Sequence, residues 1–516
     1  MEAAVVLQNS LKFLVPEAFL IAFGTLMLLV SPFLRTKLPW GIISIAGVLG
    51  AYSLLWQVPR DIFPTDTLYL QPVLQDQLST FVRHFAIGMG FFFILLFWAA
   101  NQEKYSPEIF AMIIFQVTGC SIVSCSNDLI VLFLGLELIS IPSYILLFLG
   151  GNSKASREAT LKYFYLSVLF AGMLLFGFSY MFGLTGSTNI SLIQDTFLSN
   201  KNPVPMVVIP VIAIVAGLGF KVSLVPFHFY APDVYQGTSF RAASMLATVP
   251  KVAGFVALLR LFGFALVGQQ SGSLGDSISL LFWILAAITM CLGSTMALLQ
   301  RNLGRILAFS SITHSGYLMM ALSVAPKLAP DHGVDLVGGV LFYLFAYFFA
   351  TYGVFAILEA LQNPERKIVD WDDLAGTSVT NPWLAAILVL FLFSLTGIPL
   401  TGGFLAKFLM IFSAASVPFN SENTISVETH NVYLLLAVVA VVNAAIGAWF
   451  YLKIVSGLYF KPAVWPQERK LALRPIFFAI GLAAIATIIL GVYPKAIFKS
   501  KLFRGSGDSV IVGSLK

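Results

Sequence analysis

The stretch GLGFKVSLVPFHFYAPD, residues 217–233, sets a lysine, a proline and a histidine inside an apolar run that reaches back to residue 206. Read as a bilayer-crossing helix, it cannot be regular. Pro226 lacks the N–H that the carbonyl four residues earlier requires, and its ring crowds the preceding turn. A second stretch has the same character. SLTGIPLTGGFLAKF, residues 394–408, gathers Gly397, Pro399, Gly402 and Gly403 within the apolar run 382–414, which is longer than one straight crossing needs. Each stretch carries a lysine, Lys221 and Lys407. Interrupted helices at corresponding places in two halves mark midplane sites in inverted-repeat transporters, and backbone groups freed at such breaks must meet water or polar side chains.

Outward from these two stretches, apolar windows of spanning length fall at 13–31, 40–57, 85–100, 107–125, 128–150, 161–183, 206–229, 242–264, 278–300, 303–325, 337–361, 382–414, 432–460 and 475–494. They predict an all-α polytopic membrane protein of about fourteen helices, the third extending back through Arg83 and His84 if it is to be long enough. Long unalternated runs exclude a transmembrane barrel. The breaks fall in the seventh and twelfth helices, five apart, which predicts two inverted five-helix repeats, helices four to eight and nine to thirteen. The organisation expected is helices one to three in 1–100, a first repeat in 101–264, a second in 265–460, and a last helix with a polar tail in 461–516. The first run carries Pro16 and Glu17 near its start and no small-x-small site after it, so it reads as a retained helix and not a cleaved signal.

Composition agrees: 58% of the 516 residues are hydrophobic and only 10% charged, well under half the charge of a soluble domain. The net charge of +6 would suggest nucleic acid in a soluble chain. Here the basic residues lie in short loops and read as orientation signals. One set of alternate loops holds Arg35, Lys37, Lys104, Lys154, Arg157, Lys162, Arg241, Arg301, Arg305, Arg366, Lys367, Lys461, Arg469, Lys470 and Arg474; the other holds only Arg60, Arg83, Lys201 and Lys327. The positive-inside rule puts the first set in the cytoplasm and both termini on the other side, although the tail with Lys495, Lys499, Lys501 and Arg504 argues the other way.

Cys120, Cys125 and Cys291 all lie in apolar segments without C-x-x-C or histidine at ligand spacing, so no metal site and no iron–sulfur cluster is expected. Gly217 and Gly219 lack the strand–turn–helix setting of a dinucleotide fingerprint. No redox cofactor is expected on this chain.

Charge inside the membrane runs is the remaining signal. Glu137, Lys221, Lys251 and Lys407 each fall in mid-run, where a charge costs about 2.5–3.5 kcal/mol on insertion scales and commonly marks an ion or proton path. Burial weakens a lysine's hold on its proton and a nearby carboxylate strengthens it, so a Glu137–Lys221 pair would load or release a proton as its separation or hydration changes. A purely structural ion pair is the competing reading. Lys251 has no sequence-local acid and competes with snorkelling to an interface. His228 and His314 compete with simple interhelical hydrogen bonding; Ser310, Ser311, Thr313 and Ser315 around His314 favour a hydrated relay. Glu17, Asp128, Glu359 and Lys453 are read as interfacial, and Glu365–Asp373 as a solvated loop or subunit contact.

Four motifs then resemble a known family: LFLGLELISIPSYIL (132–146), GFKVSLVPFHFYAPDVYQGTS (219–239), LGRILAFSSITHSGYLMM (303–320) and SLTGIPLTGGFLAKF (394–408). Together they are similar to the subunit N family of antiporter-like membrane subunits of proton-pumping NADH-quinone oxidoreductase, respiratory complex I. Relatives of the L and M type typically read PFH-x-W-L-P-D-A where this chain has PFHFYAPDVYQG, and L carries a lateral helix that a chain ending about twenty residues after its last span would lack. The resemblance implies roles: Glu137 and Lys221 as coupling pair, Lys251 as central relay, Lys407 as the group exchanging protons with the far side, and His228 and His314 near the axis. Pro250, where relatives have a small polar residue, is a departure that puts the depth of Lys251 in doubt. The resemblance also implies partners carrying NADH, FMN, iron–sulfur clusters and quinone, neighbouring antiporter-like subunits and, with no visible transit peptide, a bacterial plasma membrane. A multisubunit cation/proton antiporter or a membrane-bound hydrogenase is the alternative complex, and a purely structural scaffold the alternative class.

Overall fold

The computed structural model describes residues 2–34, 38–59, 65–98, 106–150, 153–198, 204–263, 272–327, 336–362, 368–417, 427–462 and 475–494. The helices in order begin with α1 (Glu2–Phe13), α2 (Val15–Leu34), α3 (Trp40–Gln57), α4 (Gln77–Trp98), α5 (Ser106–Cys125), α6 (Leu129–Leu149), α7 (Lys154–Thr185), α8 (Ile190–Leu198) and α9 (Val204–Lys221). They continue with α10 (Tyr230–Gly237), α11 (Phe240–Phe262), α12 (Gly272–Leu298), α13 (Leu303–Val324) and α14 (Leu336–Leu361). Last come α15 (Thr377–Thr380), α16 (Pro382–Thr396), α17 (Gly402–Ala415), α18 (Val427–Phe460) and α19 (Pro475–Val492). No strand occurs among the described residues. Twelve of these helices are long and apolar enough to cross a bilayer, and α9, α16 and α17 are shorter apolar helices lying at the two predicted breaks. Of the residues used to infer orientation, Arg35, Lys37, Arg60, Lys104, Lys201, Arg366, Lys367, Arg469, Lys470, Arg474 and the tail lysines and arginine from Lys495 to Arg504 lie outside the described residues.

Two compact units divide the chain, one holding the chain up to Lys221 together with the half of α11 from Val249, the other holding Val222–Thr248 and the chain from α12 onward. In the first unit, α2 starts two residues later than the window at 13–31 implies, because Pro16 cannot supply an N–H to the α1 ladder and α1 ends at Phe13. A buried ion pair in this unit was not visible in the sequence. Glu17 is 2% exposed and takes both ends of a fork from Arg83, Nε to Oε1 at 2.8 Å and Nη2 to Oε2 at 2.7 Å. Arg83 also donates to the Phe13 carbonyl at 2.9 Å and its guanidinium lies 4.1 Å from the centre of the Phe13 ring. Both residues are buried in protein, and Arg83 lies inside the 22-residue helix α4, in line with the expected extension of the third window back through Arg83 and His84. A bidentate carboxylate is what makes a guanidinium tolerable there. Arg260 is held likewise by Asp76, at 2.5 and 2.7 Å.

Local signals explain several helix ends. Asp128 is the N-cap of α6, accepting from the backbone N–H of Ile130 at 2.8 Å and of Val131 at 3.3 Å, so its role is capping. Ser153 caps α7, and Gly186, with φ of 71°, ends it in the left-handed conformation. In the second unit, every residue of α13 except Arg305 is buried and α14 nearly so. Glu359, near the end of α14, is paired with Arg241 in the first turn of α11 at 2.9 Å. Lys453 lies over the Trp371 ring, 4.9 Å from its centre.

Candidate functional site

Both predicted breaks exist, and in both the proline acts through the carbonyl four residues upstream. In the first, α9 stops at Lys221, earlier than a break centred on Pro226 suggests, and helix resumes only at Tyr230. Pro226 has no N–H for the Val222 carbonyl; Ser315 on α13 supplies its hydroxyl there instead, at 2.5 Å. The freed N–H of Val225 finds Thr289 Oγ1 on α12 at 3.2 Å, and the hydroxyls of Ser223 and Tyr230 meet at 2.8 Å. In the second break, α16 ends on Gly397 with φ of 91°, and α17 begins at Gly402 behind the N-cap Thr401. Pro399 orphans the Leu395 carbonyl. Here the substitute donor is the lysine itself: Lys407 Nζ donates to the carbonyls of Leu395 at 2.7 Å and Thr396 at 2.9 Å.

Lys221 is held differently. Its Nζ lies 3.3 Å from Glu137 Oε1 and donates to Ser140 Oγ at 2.5 Å. Glu137 and Ser140 are three apart on α6 and so share one face. Sequence reading weighed Glu137 and missed Ser140, whose spacing was the available signal. Lys407 has no carboxylate in ion-pair range among the described residues; besides the two carbonyls it faces the Tyr317 ring, 5.1 Å from the centre. Lys251 is 2% exposed, within α11, which is continuous through Pro250. Snorkelling does not describe it.

His314 is the centre of a polar group in the second unit. Its Nδ1 is 2.7 Å from the Tyr343 hydroxyl and its Nε2 3.4 Å from that of Tyr451. The Tyr451 hydroxyl also meets Ser310, and the Tyr347 hydroxyl donates to Ser311 Oγ at 2.8 Å. The serines were flagged by the sequence; the three tyrosines were not, being indistinguishable there from core aromatics. A cavity of about 10 Å³ lies against His314, Tyr343, Tyr347, Ser394 and Leu395, about the volume one water occupies on that measure. Leu395, one of the residues lining this cavity, also accepts from Lys407 through its carbonyl. His228 is half-buried in the first break, where its ring meets the backbone of Pro226. It does not join the His314 group in any described contact.

Residues 126–432 match the family described as "NADH:quinone oxidoreductase/Mrp antiporter, TM". NADH-quinone oxidoreductase subunit N 1 of Solibacter usitatus is 33% identical over 94% of this chain and 95% of its own length. F(420)H(2) dehydrogenase subunit N of Methanosarcina mazei is 30% identical over 94% and 97%. Among solved structures, a chain of respiratory complex I from Thermus thermophilus superposes with a TM-score of 0.74 at 24% identity, covering 94% of this chain and 99% of that one. A chain of an archaeal membrane-bound sulfane sulfur reductase gives 0.76 at 20% identity, over 94% and 95%. These two structures establish the fold, and the family match covers the four motifs and both breaks: the chain belongs to the NADH:quinone oxidoreductase/Mrp antiporter family.

Proposed function

We propose that this chain is a proton-translocating membrane subunit of an NADH-quinone oxidoreductase, moving protons outward while partner subunits pass electrons from NADH through flavin and iron–sulfur centres to quinone. The observation that carries this reading is the pair of lysines at the two breaks: each is buried, and each is seated on groups that a proton-carrying amine can use. Glu137 biases Lys221, Lys251 relays, and Lys407 exchanges with the far side, with His314 and its tyrosines beside it. His228 stands at the edge of this path. The chain itself holds no redox site. We further read the helices as fourteen crossings in two inverted repeats, α9 and its following segment forming the seventh and α16 with α17 the twelfth, within the four segments 1–100, 101–264, 265–460 and 461–516. The excess of basic residues in alternate loops supports a plasma-membrane protein of bacterial type with both termini outside.

Likeness to the F(420)H(2) dehydrogenase subunit, and a TM-score of 0.74 to a chain of the Mrp complex from Dietzia sp. DQ12-45-1b, favours a second reading in which the same proton path serves a different electron donor or a cation/proton antiporter. Purifying the tagged chain from its membrane decides between them. Copurification with flavin, iron–sulfur subunits and NADH-driven proton uptake in inverted vesicles supports the first reading; copurification with antiporter subunits alone removes it.

A further inference from the structure

We propose that Ser140 is the fixed seat of the Lys221 nitrogen and Glu137 its moving partner, the serine hydroxyl holding the lysine in place while it gains and loses its proton; this rests on the proton-translocating reading above. Two acceptors compete for one nitrogen. Lys221 Nζ donates to Ser140 Oγ at 2.5 Å and lies 3.3 Å from Glu137 Oε1. A charge-assisted N–H···O bond usually measures about 2.7–2.9 Å, and the ion pairs Lys162–Glu158 and Arg83–Glu17 reach 2.8 and 2.7 Å. Against these the Lys221 pair is stretched, its nitrogen drawn toward the hydroxyl.

Helical spacing builds the seat. Glu137, Ser140 and Tyr144 stand at i, i+3 and i+7 on α6, within about 60° of one another around the helix. Ser140 gives its own hydrogen to the Leu136 carbonyl at 2.9 Å, so its oxygen meets the lysine as an acceptor. Tyr144 sets its hydroxyl beside Ser140 and donates to Ser167 Oγ on α7 at 2.7 Å, which ties the seat to a second helix. Ser140 and Ser167 are 2% and 1% exposed. Neither is open to bulk water. The carboxylate differs: the Glu137 side chain is 20% exposed and that of Lys221 6%, so Glu137 has room to turn away and the lysine does not.

A carboxylate stabilises the ammonium alone, whereas a hydroxyl oxygen accepts from ammonium and amine alike. Ser140 therefore keeps the nitrogen in place through a full cycle. With Glu137 near, the ammonium is favoured. With Glu137 turned away, one proton passes to the next acceptor on the path, its charge goes with it, the amine stays on Ser140, and the serine gains and loses nothing. The other titratable groups on the packed helices are Tyr144 on α6 and, on α7, Tyr163, which stacks on Phe220 next to the lysine with ring centres 6.0 Å apart. Lys251 on α11 is the other buried lysine of this unit. Glu137 is the carboxylate in ion-pair range of Lys221 among the described residues.

The experiment is NADH-driven proton uptake against pH, per assembled complex, in inverted vesicles carrying the full complex. Ser140→Ala leaves the ammonium on Glu137 alone, so it releases its proton less readily and the rising, acid-side limb of uptake should move up by about one pH unit. Glu137→Gln removes the partner charge and should move the same limb down. Opposite shifts are the signature, because loss of a merely structural contact scales the profile without moving it. Ser140→Thr keeps the hydroxyl and should restore the wild-type limb. Ser140→Cys keeps the size but offers only a weak acceptor, and should behave as Ser140→Ala does. Tyr144→Phe should shift the limb in the same direction as Ser140→Ala, by less. An unmoved limb in assembled Ser140→Ala, or a shift in the direction of Glu137→Gln, overturns the seat. Should Ser140→Ala fail to assemble, Ser140→Cys decides by the same limb. Lys221→Ala run in parallel separates the two proposals: normal uptake there removes the translocating reading, whereas its loss beside an unmoved limb in Ser140→Ala removes the seat only.

Discussion

The two breaks solve the same chemical problem with different donors. At the first, a serine hydroxyl from another helix takes the carbonyl orphaned by Pro226, leaving Lys221 free to face a carboxylate and a hydroxyl. At the second, the lysine takes the carbonyl orphaned by Pro399 and has dipoles where Lys221 has a charge. A carboxylate favours only the ammonium; carbonyls accept from an amine as well as from an ammonium. On the translocating reading proposed above, Lys221 is the lysine whose proton depends on where a partner charge stands, and Lys407 the one seated on neutral dipoles.

The comparison breaks most completely at Gly403. A Cβ there would lie 1.8 Å from the Ser394 carbonyl oxygen, so Gly403→Leu should prevent α16 and α17 from meeting and abolish assembly, read as loss of the complex on native gels. Next in size, Lys221→Ala and Lys407→Ala should each remove most NADH-driven proton uptake from assembled complex. Lys221→Arg should fail as well, since guanidinium does not release its proton in the working range; full uptake in Lys221→Arg would end the carrier role. Smaller again, Glu137→Gln should slow uptake severalfold and Glu137→Asp should keep most of it, an asymmetry with no counterpart in the second unit. Equal activity of all three forms would leave Glu137 a structural residue. The smallest effect is Ser315→Ala, which strips the donor from the Val222 carbonyl and should lower thermal stability by about 1–3 kcal/mol with proton uptake per NADH unchanged.

The breaks, the lysines and Glu137 were legible because a proline or an ion in an apolar run has few innocent explanations. The pairing of Glu17 with Arg83 was not legible: each lies at the edge of a window drawn by hydropathy, and their contact spans 66 residues of sequence. Nothing local reports a partner that distant. Ser140 was within reach of the helical spacing from Glu137. Tyr343, Tyr347 and Tyr451 were not, since a tyrosine in a run of phenylalanines carries no sign of what its hydroxyl will meet. The side on which each loop lies rests on residues beyond the described ones, among them Arg366, Lys367 and Arg469.

The seat of Lys407 has one more consequence, which follows from counting hydrogens. An ammonium has three and an amine two, and the two carbonyls occupy two of them. The third hydrogen is the one that can depart, and its departure leaves both contacts intact and the nitrogen where it was. The side chain need not swing, and the two half-helices that it bridges keep their clasp in either state. On the translocating reading, a proton leaves this seat without wear on the joint that holds the membrane helix together.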